Sequence, residues 1–374
     1  MRIADVRCHP VHLPLLRPLV TAGGVVGDPQ AGAPHVYVEV VAEDGTTGLG
    51  ESRPSPRWGE ETLESVVSAV TRYFAPAWRG MATDDLRELS RRLDQEIRGV
   101  AGPGQAVAKA GMATAAHDLL ARQRNLRLSA LWGTKAAGPV ALSYLISTDT
   151  VEAAERMAET ALAEGYRGLD IKIGRHLDRD LELVAAVAAK ASGCCFLRVD
   201  ANQGYSVGEA KRAARRLGQI GVDVFEQPLP AALLSGLAEV RRTSDLPIAL
   251  DESICTARGL LEAIRREAVD AVVVKVTKSG GLGEAKLIGE IAREAGLDLL
   301  GGGLTESTVG LTASAYLFDY LQITTPVDLN GPLFLADDPV RGGATLDRAR
   351  ILLPEGPGLG CTLDREKLAR YRVK

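Results

Sequence analysis

The stretch that decides the fold runs from residue 168 to residue 275. It opens with Gly168-Leu169-Asp170-Ile171-Lys172 and returns to the same figure in Phe196-Leu197-Arg198-Val199-Asp200, Val224-Phe225-Glu226, Ile248-Ala249-Leu250-Asp251 and Val272-Val273-Val274-Lys275. Each figure is a short apolar run ending in an ionisable residue, and amphipathic helical segments lie between them. Lys172 to Asp200 is 28 residues, Asp200 to Glu226 is 26, Glu226 to Asp251 is 25 and Asp251 to Lys275 is 24. From Lys275 to Asp328 is 53, or two further units. One interval matches one strand plus one helix, so these side chains should rise around one rim.

Working outward, candidate strands fall at 140–146, 169–173, 196–199, 222–225, 248–250, 271–276, 297–300 and 323–327. Strand-helix alternation of this length predicts a parallel sheet, and eight units predict closure into a barrel. A doubly wound sheet is the alternative, but no G-x-G-x-x-G turn follows the first strand. The predicted fold class is α/β: a modified TIM-type (β/α) barrel of seven to eight βα units over 138–335. The preceding 1–137 reads as an α+β capping domain, with strands at 3–7, 35–41 and 47–51 and helices at 61–74, 84–97 and 105–122. Residues 21–32, with four glycines, read as a mobile loop. The alternation ends near Ala336, and 336–374 should return to the capping domain.

Composition narrows the function. The chain has 374 residues, 44 Lys+Arg against 48 Asp+Glu, a net charge of -4 and 46% hydrophobic residues, the mix of a packed globular protein. There is no basic tract for nucleic acid and no apolar run of membrane length. Cys8, Cys194, Cys195, Cys255 and Cys361 form neither a disulfide framework nor a C-x-x-C pair, and no H-E-x-x-H motif occurs. A cytoplasmic protein is expected, acting on a small molecule as a homo-oligomer, the common state of soluble enzymes.

The residue types at the strand ends carry the chemistry. A lone Asp after a strand is usually a helix cap or turn residue. Five consecutive strands ending in Lys, Asp, Glu, Asp and Lys are harder to assign to capping, because lysine is a poor cap and costly to bury unpaired. Asp200, Glu226 and Asp251 on adjacent strands would repel one another without a cation, and an oxygen-only set selects Mg²⁺ or else Mn²⁺. Lys172 and Lys275 flank that position and suit general acid-base work. A metal-held carboxylate stabilises the enediolate left when the neighbouring carbon loses a proton. Bases on two faces of that carbon suit racemisation or epimerisation.

These segments resemble the enolase superfamily, in its muconate lactonizing enzyme branch. The resemblance rests on Asp170-Ile171-Lys172, Arg198-Val199-Asp200-Ala201-Asn202, Phe225-Glu226-Gln227-Pro228, Leu250-Asp251-Glu252-Ser253 and Val274-Lys275-Val276-Thr277-Lys278-Ser279-Gly280-Gly281. It extends to Gly48-Leu49-Gly50-Glu51 and to the closing Gly356-Pro357-Gly358-Leu359-Gly360. It implies Asp200, Glu226 and Asp251 as metal ligands and Lys172 with Lys275 as the acid-base pair. Asn202 and Glu252 would buttress the ligands.

Two positions depart from that pattern. The branch usually carries Lys-x-Lys on the second barrel strand, and here Asp170 stands first. It points the same way as Lys172, so it should raise the pKa of Lys172, bind a cationic substrate group, or form a salt bridge on the rim. On the eighth strand, Asp328-Leu329-Asn330-Gly331-Pro332 is similar to the Asp-x-Asp of dipeptide epimerases, with Asn330 removing one charge. Asp170, Glu306, Asp328 and Asn330 are the candidate substrate contacts. Arg53, Arg57 and Trp58 are candidate specificity residues, Lys278 reads as a solvated loop lysine, and His117 and Asp118 read as packing residues.

The expected activity is therefore Mg²⁺-dependent α-proton abstraction from a carboxylate substrate, in a racemase or epimerase of an amino-acid derivative or dipeptide. The alternatives are a muconate-type cycloisomerase, a syn-dehydratase and, more distantly, a non-catalytic binding protein on the same fold.

Overall fold

The alternating segments before residue 52 form one antiparallel sheet, and the rest of the capping region packs on it. A computed structural model describes residues 1–21, 23–27, 29–100, 102–134 and 138–373, with the backbone alone at 19–21 and 25–27. Strand β1 (Ile3–Leu13) is followed by a short antiparallel hairpin, β2 (Leu19–Thr21) and β3 (Gly24–Gly27), then by β4 (Ala33–Ala42) and β5 (Thr47–Ser52). The hairpin replaces part of the loop expected at 21–32; residues 22 and 28 lie outside the described residues. The cap sheet has the order β1-β4-β5. Helix Ala106–Gln123 lies directly on β5: a Cβ at Gly48 or Gly50 would meet the carbonyl oxygens of Ala115 and Gly111 at 2.1 and 1.9 Å. The glycine spacing of Gly48-Leu49-Gly50-Glu51 is what lets helix and strand touch.

In the barrel, β6 (Val140–Ala141) is followed by β7 (Tyr144–Ile146), β8 (Gly168–Lys172), β9 (Phe196–Asp200), β10 (Val224–Glu226), β11 (Ile248–Leu250), β12 (Ala271–Val274) and β13 (Asp298–Gly301). The strands β7 to β13 make one parallel sheet in sequence order, with helices between them. The eighth strand expected at 323–327 contracts to single parallel bridges, Leu142 with Val327 and Gly302 with Asp328, which close the ring. The segment 140–146, read as one strand, is split because its first two residues pair elsewhere. Beyond the barrel come β14 (Val340–Gly342), β15 (Thr345–Asp347), β16 (Arg350–Leu352) and β17 (Cys361–Leu363). Strand β16 takes β6 as its antiparallel partner, while Arg365 grips Glu39 of the cap with both terminal nitrogens.

Side-chain alternation then places the site. Leu169, Ile171, Leu197 and Val199 face the helices in the large core, while Val224, Ala249, Ala271, Val273 and Leu300 form a separate cluster inside the barrel. Two residues beyond Val224, Ala249 and Val273, on that inner side, stand Glu226 at the end of β10, Asp251 just past β11 and Lys275 just past β12. The same period carries Asp170 with Lys172, and Arg198 with Asp200, into the interior. Among the described residues no helix is long and apolar enough to cross a membrane.

Candidate active site

At the rim, the charged groups are buried and pair with one another. The side chain of Lys172 is 10% exposed; its Nζ lies 2.8 Å from Asp200 Oδ2, 3.4 Å from Asp328 Oδ2 and 3.5 Å from Asp170 Oδ1. Across the barrel, Lys275 Nζ donates to Asp251 Oδ2 at 2.5 Å and lies 4.8 Å from the centre of the Trp58 ring. Burial alone would lower both amines, but Asp170, Asp200 and Asp328 raise Lys172 well above the usual lysine range. Asp251 and Glu226 likewise raise Lys275. The expectation that Asp170 raises Lys172 is met in this geometry.

Asp200, Glu226 and Asp251 are all fully buried. Arg198 Nε donates to Glu226 Oε2, and its NH1 donates to Gly301 O at 2.9 Å. Asp251 receives a second lysine: Lys278 Nζ donates to Asp251 Oδ1 at 2.7 Å and to the Asp251 carbonyl at 2.5 Å. Lys278 is 4% exposed, which corrects its reading as a solvated loop lysine. The turn Gly280-Gly281, both with positive φ, brings the loop back so that this long side chain folds inward over Asp251. The backbone N of Asn202 donates to Asp200 Oδ1 at 2.7 Å and its Nδ2 donates to Glu252 Oε1 at 3.2 Å. Burial and the charges of Asp251 and Asp200 push the Glu252 carboxyl up to about 8.

Do these residues fit a cation? Among the described residues, no three His, Cys, Asp or Glu side chains stand as a ready cage, and ammonium groups balance the acids instead. The donor chemistry nonetheless fits. Glu226 Oε1 is buried with no hydrogen-bond partner among the described residues. Burial, together with Asp200 and Asp251, raises the Glu226 carboxyl despite its pairing with Arg198. That unpartnered oxygen, set among mutually repelling carboxylates, suits a hard cation.

The candidate substrate contacts separate into two groups. Asp328 and Asn330 line the cavity at the barrel mouth together with Lys172, Lys275, Trp58 and Ser55. Asp328 Oδ1, Asn330 Oδ1 and Ser55 Oγ are buried there and find no partner among the described residues. Asp170 lies one layer deeper, fully buried, with Oδ2 3.5 Å from Arg198 Nε. Burial and repulsion from Asp328 push its carboxyl well above the usual range. Glu306 was expected to touch substrate. Its oxygens instead accept from Thr277 Oγ1 at 2.8 Å and Leu304 N at 2.6 Å, because the chain turns it back under its own loop.

Arg53 is buried and donates to the carbonyls of Pro34 and Pro54, so of the three cap candidates Trp58 is the one that reaches the cavity. His117 Nδ1 pairs with the Ala113 carbonyl at 2.7 Å, and Asp118 accepts from Leu49 N at 2.8 Å and Leu359 N at 2.7 Å. Sequence reasoning missed Arg198, although its position two residues before Asp200 marks it as inward-facing. It also missed Gln227, whose Oε1 accepts from Asp251 N at 2.9 Å and Ser253 N at 3.2 Å.

Comparison with known proteins agrees with this architecture. The family Enolase C-terminal domain-like matches residues 152–367, and the family Mandelate racemase / muconate lactonizing enzyme, N-terminal domain, matches residues 3–133. The chain is 28% identical to the N-succinyl-L-Arg/Lys racemase of Bacillus cereus, over 100% of this chain and 98% of that one. The solved structure of that racemase superposes with a TM-score of 0.93 at 27% identity, covering 100% and 99% of the two chains. The chloromuconate cycloisomerase CbnB of Cupriavidus necator is 30% identical over 99% of each chain. A dipeptide epimerase from Cytophaga hutchinsonii, solved with Mg and the dipeptide D-Ala-L-Val, has a TM-score of 0.91 at 28% identity over 99% and 98%. The chain belongs to the mandelate racemase / muconate lactonizing enzyme family of the enolase superfamily, and it is an isomerase of that family.

Proposed function

We propose that the protein abstracts and returns the α-proton of a small carboxylate substrate, as a racemase or epimerase of an amino-acid derivative or dipeptide. The observation that carries this reading is two lysines, the nearly buried Lys172 and the buried Lys275, lining one cavity with three inward carboxylates on the strands between them. Asp200, Glu226 and Asp251 would hold a divalent metal, Mg²⁺ first and Mn²⁺ as its substitute. Such a metal supplies charge stabilisation for an enediolate, typically several kcal/mol.

The chain's own residues do the rest. Each lysine holds or accepts a proton on its side of the α-carbon. Burial, which favours the free amine, acts on both once the neighbouring carboxylates are otherwise engaged. Asp328 Oδ1 and Asn330 Oδ1 are buried acceptors without partners among the described residues, and they suit an N–H or ammonium next to the reacting carbon. The Trp58 ring lies over Lys275, its centre 4.8 Å from Nζ. The same proposal includes a homo-oligomer at work in the cytoplasm, where the five free cysteines stay reduced. It also divides the chain at 1–137, 138–335 and 336–374.

A second reading, muconate-type cycloisomerisation or syn-dehydration, is favoured by Asn330 standing where a second carboxylate would hold an ammonium, and by the cycloisomerase relatives. Isotope exchange separates the two. Dipeptides, N-acyl amino acids, betaines and diacids are incubated with enzyme and Mg²⁺ in deuterium oxide. The racemase reading requires α-deuterium in both enantiomers of a chiral acid; deuterium in one enantiomer alone, or lactone formation from a diacid, would discard it.

A further inference from the structure

Two buried carboxylates, Glu51 of the cap and Glu306 of the barrel, spend all of their hydrogen bonds inside the protein. Glu51 is the penultimate residue of β5. Its Oε1 pairs with His35 Nδ1 at 2.6 Å and accepts from Ser307 N at 2.8 Å. Its Oε2 accepts from Ser307 Oγ at 2.7 Å and from Gly310 N at 2.8 Å. Tyr37 of the cap also donates to Ser307 Oγ, at 2.8 Å. Helix Thr308–Tyr320 has no side-chain cap from Ser307, so Glu51 supplies acceptors and negative charge to that helix start from another part of the chain.

Glu306 is the next residue back along the chain, and it is packed on three sides. A Cβ at Gly303 would meet Glu306 Oε2 at 2.4 Å, one at Gly310 would meet Glu306 Cβ at 2.6 Å, and one at Gly331 would meet Glu306 O at 1.9 Å. Thr305 holds φ at +62°, a conformation a β-branched residue keeps only when its surroundings impose it. The segments so fixed all belong to the site. Gly303, Leu304 and Thr305 line the cavity, Thr277 lies between Lys275 and Lys278, and Gly331 follows Asn330.

We propose that Glu51 and Glu306 are positioning residues, through which the docked cap holds the loops after β12 and β13 and the Asn330 turn in the shape that receives substrate. The proposal rests on the isomerase reading for what the cavity binds, but the locking does not depend on it. Hydrogen exchange read by mass spectrometry on the free, full-length protein tests the locking directly.

Glu51→Gln should raise exchange about tenfold in peptides covering 303–311 and also in 274–281, which Glu51 does not touch. Thr277→Val should raise exchange in 274–281 alone, and adding Glu51→Gln to it should produce no further rise there. An effect of Glu51→Gln confined to 307–311, or spread evenly over the barrel, would overturn the proposal. If Glu51→Gln fails to fold, Ser307→Ala keeps the buried carboxylate, removes one donor, and should show the same two-segment response. With a carboxylate that passes the exchange screen, Glu51→Gln should raise KM about 5–10-fold and leave kcat within about twofold. A role in stability alone lowers the active fraction, and therefore kcat, with KM unchanged; that result also refutes positioning. If no carboxylate in the screen exchanges, the isomerase reading fails, while the hydrogen-exchange result still decides the lock.

Discussion

Asp170→Asn keeps the shape of a buried side chain and removes its charge, so it isolates what that charge does to Lys172. Asp170 Oδ1 lies 3.5 Å from Lys172 Nζ. At an effective dielectric of about 20, unit charges at that separation interact by about 5 kcal/mol. Two features of the site reduce this. Burial and repulsion from Asp328 push the Asp170 carboxyl well above its usual range, which weakens its hold on the ammonium. Asp200 at 2.8 Å and Asp328 at 3.4 Å continue to hold the ammonium.

The expected result is a lower pKa for Lys172, because one of the carboxylates that raise it has lost its charge. A lysine accepts a proton only as the free amine, so the rising limb of the pH profile for exchange on its side should move to lower pH. The limb belonging to Lys275 should stay in place. The assay is α-deuterium incorporation into each enantiomer separately, followed over about pH 5 to 10. No displacement, a displacement to higher pH, or an equal displacement of both limbs would refute the electrostatic argument.

Three further predictions test other parts of the molecule. Thermal melting should show stabilisation by Mg²⁺ of about 2.7 kcal/mol at a hundredfold excess over Kd, and Asp251→Asn should abolish it; a flat wild-type response would remove the metal from the scheme. Lys275→Ala should stop exchange on one face of the α-carbon while the Mg²⁺ response persists, and exchange still reaching both enantiomers would disprove the assigned pair. Burial opposes ionisation of Glu39, but His9 and Arg365 outweigh it and hold the carboxyl at about 2. A folded pKa below the ordinary 4.5 stabilises the protein above that pH, and the contribution is lost as pH falls toward 2. Glu39→Gln should therefore flatten the loss of Tm between about pH 4.5 and 2, and an unaltered acid limb would contradict that pairing.

Much of the site was legible because strands obey a period of two. Asp200, Glu226, Asp251, Lys172 and Lys275 are all strand-end residues, and the parity of their positions sends them to the same inner face. Arg198 was equally legible by parity but hides in a layer that the neighbouring strands fill with Val224, Ala249 and Val273. Lys278 and Glu306 were not legible in this way. They lie in turns, where side-chain direction follows backbone angles that no short-range pattern states, such as positive φ at Gly280, Gly281 and Thr305.

The sequence by itself determined the barrel, its capping region and the residues that face inward, because hydrophobic periodicity and strand-helix spacing are local properties of the chain. The tertiary structure alone decided who meets whom. It put Asp170 beneath Lys172 rather than on the rim, carried Lys278 back to Asp251, and gave Glu306 to Thr277 instead of the cavity. It also brought Glu51 to a helix start 256 residues further along. These pairings depend on ring closure and on the docking of the cap, where partners far apart in sequence are joined by packing, and no local pattern records that choice.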